Sequence, residues 1–122
     1  MKKKSPVARA RMEHAAECLS AASSLLLSGN YKSAANRSYY AVFHAMRAVL
    51  AYDEIDMKKH SGVIAEFRRL YVKTGVFVGD MSKTISVLFD VRTESDYDDF
   101  FIISKEEVVQ QAESAQHFLC KK

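Results

Sequence analysis

Apolar residues recur along most of this chain at intervals of three and four, the spacing that puts them on one face of an α-helix. Ser5 and Pro6 read as the N-cap and first-turn proline of a first helix, along which Ala8, Met12, Ala15, Leu19, Ala22 and Leu26 repeat until Gly29 stops it. A second helix is predicted from about Tyr31 to Asp53, and so short a connection makes the two an antiparallel hairpin. The third runs from about Lys58 to Lys73, turns Val63, Phe67 and Leu70 inward, and ends at Gly75. Asp80 is placed to cap a fourth, with Met81, Ile85 and Leu88 on its buried stripe. Between Glu94 and Ile103 the pattern lapses. Ser104-Lys105-Glu106-Glu107 is then a capping box, flanked by Ile103 and Val108 as a hydrophobic staple, and it opens a fifth helix with Val108, Ala112, Ala115 and Leu119 inward. The expectation is an all-α, antiparallel up-and-down bundle of four to five helices, forming one domain over residues 1–122.

Composition agrees. One Pro and four Gly in 122 residues leave little punctuation for an all-β fold. The formal charge of +3 is spread unevenly. Residues 1–73 carry 13 Lys and Arg against 6 Asp and Glu, and residues 74–122 carry 5 against 9. Such asymmetry suits a basic surface for nucleic acid or complementarity between opposed faces or subunits. Cys18 and Cys120 make neither a C-x-x-C pair nor a disulfide framework and read as small buried or semi-buried thiols of a reducing cytosol. After Met1-Lys2-Lys3-Lys4 the charged residues Arg9, Arg11, Glu13 and Glu17 stand where an exported protein needs an apolar run. No stretch approaches the ~18 uninterrupted apolar residues of a membrane span. A cytoplasmic protein without membrane contact is expected.

The chemistry concentrates on the second helix. At ~100° per residue, Arg37, Tyr40, His44 and Arg47 share an arc of about 80°, beside an apolar stripe of Tyr39, Phe43, Met46 and Leu50. Either the polar residues satisfy neighbouring carbonyls and carboxylates, or they line a site. On the fourth helix the stripe Met81, Ile85, Leu88 continues onto Arg92, which pairs locally with Asp96 or turns its fork toward a phosphate. His60, at the start of the third helix, reads as a capping or surface residue unless the fold brings it beside Arg92. Metal-binding spacings are missing: there is no H-x-x-x-H, no C-x-x-C and no Glu-x-x-His pair, and Glu113 with His117 is an ordinary one-turn pair. Neither a P-loop nor a nucleophile elbow is present, so no metal and no cofactor is expected.

Three pieces in this order, Arg37-x-x-Tyr-Tyr-Ala-x-Phe-His-Ala, Lys59-His60-Ser61-Gly62-Val63-Ile64 and Arg92-x-x-x-Asp96-Tyr97-Asp98, resemble the HEPN domain, a compact all-α family of prokaryotes and higher eukaryotes. The resemblance covers nearly the whole chain. It implies a bundle that forms homodimers, with a cleft at or near the two-fold axis. It also implies work beside a minimal nucleotidyltransferase, as in toxin-antitoxin pairs, with nucleotide or RNA as ligand. Toxins of the family are metal-independent ribonucleases with the signature R-x(4-6)-H after the fourth helix, the Arg stabilising the crowded phosphate and the His moving a proton. Counted from Arg92, the places for that His hold Tyr97, Asp98 and Asp99. A phenol with a pKa near ~10 is a poor base at neutral pH, and carboxylates repel a phosphodiester. Arg37, Tyr40 and His44 are expected to face Arg92, Asp96 and Tyr97 in one polar patch, which is a relic site, a nucleotide pocket or a structural network, and the first expectation is a module that binds nucleotide, RNA or a partner through it. The alternative is a diverged ribonuclease toxin using Arg92 with His44 or His60.

Overall fold

Proline at the first helical position and glycine just past the last bound α1, Pro6–Leu27, as expected. The computed structural model describes residues 6–57, 59–72, 85–90 and 104–120. Gly29 has φ of +83°, and the Gly29 N–H donates to the Leu26 carbonyl while the Asn30 N–H donates to that of Leu25. That is the paired arrangement which closes a helix on a left-handed residue. Chain reversal over Ser28 to Asn30 leads directly into α2, Tyr31–Tyr52.

The buried residues of α1 are all small: Ala8, Ala15, Cys18 and Ala22. Along α2 a ladder of small residues, Ala34, Ser38, Ala41, Ala45 and Ala48, is buried beside the large stripe Tyr39, Phe43, Met46 and Leu50. Small residues on both helices let the backbones approach closely, and α1 and α2 share the largest interface of the fold. The hydroxyl of Ser38 is satisfied by donating to the Ala34 carbonyl at 3.0 Å. Burial on nearly every side makes α2 the central helix.

The next element, α3, spans His60–Phe67 and runs into a π-helical turn, Arg68–Val72. Residues 85–90 form α4, and α5 spans Lys105–Cys120. Val63 and Phe67 of α3, Ile85 and Leu88 of α4 and Ala115 of α5 close on the large stripe of α2 in one core. A smaller cluster joins Val108 to Ala34, Ala35, Leu25, Leu26 and Tyr31, where α5 starts against the α1–α2 turn. The capping box forms: the Glu107 N–H donates to Ser104 Oγ at 3.2 Å, and Glu107 Oε1 accepts from the Ser104 N–H at 3.2 Å. Among the described residues the fold is an all-α bundle of five helices with no strand. The expected Asp80 cap and the Ile103 staple lie outside those residues.

Candidate functional site

Where α2 passes the start of α3 and the middle of α1, six aromatic and imidazole rings gather. His60 stacks on Phe43 with ring centroids 4.1 Å apart, and its Nδ1 is hydrogen-bonded to the Tyr39 hydroxyl. Tyr40 meets the same imidazole edge-on at 5.8 Å and lies 5.9 Å from the ring of His44. His44 in turn stacks on His14 of α1, at 4.0 Å and an interplanar angle of 25°. The expectation of a capping or surface role for His60 is thus corrected: it is half-buried and packed on α2. A local pattern says only that His60 lies in the first turn of α3; the way α3 crosses α2 turns that ring inward.

The electrostatics of the cluster disfavour added positive charge. Burial is the largest cause, followed by the neighbouring His14, Arg47, His60 and Arg11, and together they push His44 from 6.5 down to about 4. His44 is therefore a neutral imidazole at pH 7, able to accept a hydrogen bond or ligate a metal and unable to act there as a general acid. Arg11 and Arg47 converge on Asp56 Oδ1 at 3.0 and 3.1 Å. Hydrogen bonds from Arg47 and Arg11 hold the Asp56 carboxyl below the usual carboxylate range. This exposed junction ties α1 and α2 to the segment leading into α3.

A concavity of about 320 Å³ lies between α3 and α4. Ile64, Ile85 and Phe89 make its apolar lining, and Ser61, Arg68, Ser86 and Asp90 its polar groups. The Arg68 guanidinium, from the first residue of the π-helical turn, donates to Ser86 Oγ across the cleft. Ser61 adjoins His60 in sequence, so the cleft begins where the ring cluster ends.

Of the residues expected to form one polar patch, Tyr40 and His44 come together and Arg37 does not, while His60, expected outside that patch, joins them. Arg37 stands exposed on α2 outside the ring cluster, and Arg47 from the same arc is engaged by Asp56. Arg92, Asp96 and Tyr97 lie outside the described residues. Three participants were not anticipated: His14, Cys18 and Arg68. The first two form an H-x-x-x-C pair one helical turn apart, a spacing that differs from the metal-binding patterns named above, and the third is half of the basic pair Arg68-Arg69. His14, Cys18 and His44 now present one donor atom each, all within 4.8 Å of one another. Metal capability absent from the linear spacing thus arises between α1 and α2.

The fold defines a small all-α bundle whose rings gather where α2 passes α1 and α3, and comparison by sequence specifies the class. The HEPN domain family model matches residues 8–122, and the chain belongs to that family. A UPF0332 protein of Thermotoga maritima is 37% identical over 105 residues, covering 86% of this chain and 80% of that protein. The protein named "Putative toxin MJ0142" in Methanocaldococcus jannaschii is 34% identical over 110 residues, covering 90% of this chain and 75% of that protein. A UPF0332 protein of Archaeoglobus fulgidus is 34% identical over 93 residues, covering 76% of this chain and 74% of its own length. No described helix is long and apolar enough to cross a membrane.

Proposed function

We propose that this chain is a dimeric HEPN module that binds nucleotide or RNA and pairs with a minimal nucleotidyltransferase, in an arrangement of the toxin-antitoxin kind. The observation that carries this reading is the family match over residues 8–122, joined to a relative of similar extent whose name describes a toxin. The α3–α4 cleft supports it. Arg68 supplies a fork suited to phosphate oxygens, Ser61 and Ser86 supply hydroxyls, and Phe89 offers a flat apolar surface to a base. Arg92 follows Asp90, at the cleft's edge, by only two residues in the chain. Binding without strong cleavage follows from the sequence after Arg92, where Tyr97, Asp98 and Asp99 occupy the places of the family histidine.

The test is to incubate the purified protein with total cellular RNA in EDTA, beside an Arg92→Ala variant of matched folding. The same preparations are passed over a sizing column with light scattering. The expected result is a dimer that retains RNA or nucleotide and leaves the RNA intact, with retention reduced in the variant. Cleavage by the wild type alone would move the chain to the second reading, a diverged metal-independent ribonuclease. The ring cluster favours that second reading, because it holds His60 and its Tyr39 partner in a fixed geometry beside the cleft. A monomer with no retained ligand would overturn both.

A further inference from the structure

We infer that His14, Cys18 and His44 form a binding site for one thiophilic d10 cation, best matched by Zn²⁺, between α1 and α2. The three donors come from two elements. Four residues apart on α1, His14 and Cys18 project from the same face one turn from each other, and His44 approaches from α2, the helix with which α1 packs most extensively. Their donor atoms already lie within 4.8 Å of one another. Metal bonds of about 2.0–2.1 Å to nitrogen and about 2.3 Å to sulfur require tetrahedral donors roughly 3.3–3.6 Å apart, so the donors draw closer on binding and the stacked rings of His14 and His44 turn about their side-chain torsions until both lone pairs face the ion. One thiolate and two imidazoles are the soft and borderline ligands that select zinc or copper(I) over magnesium or calcium.

The surroundings fit a three-ligand site with an open fourth position. Cys18 is 3% exposed, His44 is half-buried and His14 is exposed, so the donors step from the core to the surface. A shallow groove of about 410 Å³ bordered by Val7, Ala10, Arg11 and His14 gives an entering ion its path. A fourth position open to that side would take water. As the S–metal bond forms, the Cys18 thiol releases its proton to solvent, and both imidazoles bind as neutral ligands. Arg11 and Arg47 are the positive charges facing His44, and both are held by Asp56. The thiolate offsets part of the charge brought by a dication, and Asp56 offsets one of the two guanidinium charges nearby. This site is separate from the α3–α4 cleft, and its existence does not depend on the function proposed for that cleft.

The test uses the full chain, stripped with chelator and dialysed against Zn²⁺ alone, with Co²⁺ as a spectroscopic substitute. The expected result is one Zn²⁺ per chain, and a Co²⁺ complex with intense visible bands of tetrahedral coordination and a near-ultraviolet thiolate-to-cobalt charge-transfer band. His14→Ala, at an exposed position that leaves the core intact, is expected to weaken Zn²⁺ binding by at least about tenfold, since loss of supporting groups alone can do as much. Cys18→Ala is expected to abolish the charge-transfer band. Less than one tightly bound Zn²⁺ per chain, a cobalt spectrum without the thiolate band, or affinity unchanged in His14→Ala would each overturn the site. Because His14→Ala is exposed, the test stands even if Cys18→Ala fails to fold.

Discussion

His44 condenses the chemistry of this protein into one side chain. Its ring is stacked on His14, near Tyr40 and Phe43, and close enough to Arg47 and Arg11 that taking up a proton is resisted on several sides. In the metal-free protein the unfolded chain gains that proton around 6.5, whereas the folded chain does so only around 4. The stability contributed by keeping His44 neutral is complete above 6.5. It declines as the pH falls toward about 4, because over that window the unfolded state binds more protons. Urea midpoints of chelator-treated wild type and His44→Phe should show this directly. Between pH 7 and about pH 4 the wild-type midpoint falls further than that of the variant, while the carboxylates common to both cancel from the comparison. Parallel curves would show that the ring titrates like an exposed histidine.

At the scale of the element, helix ends and helix crossings divide the work. Gly29 closes α1 at φ +83°, and a Cβ built there meets nothing within 4 Å, so the cost of adding one is conformational alone. Gly29→Ala is expected to lower stability by about 1–2 kcal/mol, measured by urea unfolding, without altering the α1–α2 pairing. Crossings depend on residues of different elements meeting. Arg11 of α1 and Arg47 of α2 reach one carboxylate, Asp56, beyond the end of α2. Since that carboxylate is exposed, salt screens the junction, and its contribution lies in orientation more than in energy. Arg68 plays a comparable part at the other crossing. The π-helical turn at the end of α3 carries its guanidinium toward Ser86 of α4, and irregular turns of this type are frequent where a helix serves a site.

For the molecule as a whole, the large side chains of α2 organise one core to which every other element contributes. Phe67 is fully buried there and lies 5.3 Å from the ring of Tyr71. Phe67→Ala is expected to cost about 3–5 kcal/mol in equilibrium unfolding, through lost burial and the cavity left behind. A cost below about 1 kcal/mol would mean that α3 contributes little to the cooperative core. The ring cluster and the α3–α4 cleft rest on this same packing, so a destabilised core should loosen both sites together. Their residues come from α1, α2, α3 and α4, and a bundle that loses one crossing loses the geometry of the neighbouring site.

Much of this was legible in the linear pattern. The stripe Tyr39, Phe43, Met46 and Leu50, the inward residues Val63, Phe67, Ile85, Leu88, Val108 and Ala115, the stop at Gly29 and the capping box at Ser104 all stand where the spacing places them. These features are local: 3.6 residues per turn and the needs of unpaired backbone groups at helix ends decide them within one segment. Along α1 the pattern was blunter. Ala8, Ala15 and Ala22 are buried, but Met12, Leu19 and Leu26 are half-buried, and Cys18, off the predicted stripe, lies in the contact with α2. The pairing of His14 with His44 across 30 residues, the inward turn of His60 and the reach of Arg68 to Ser86 followed no periodicity. Such meetings depend on how far one helix slides along another and at what angle they cross. That register is set by the interlocking of all the side chains in the core at once, so the helices could be read from the order of residues, while the sites between them took shape only when the bundle closed.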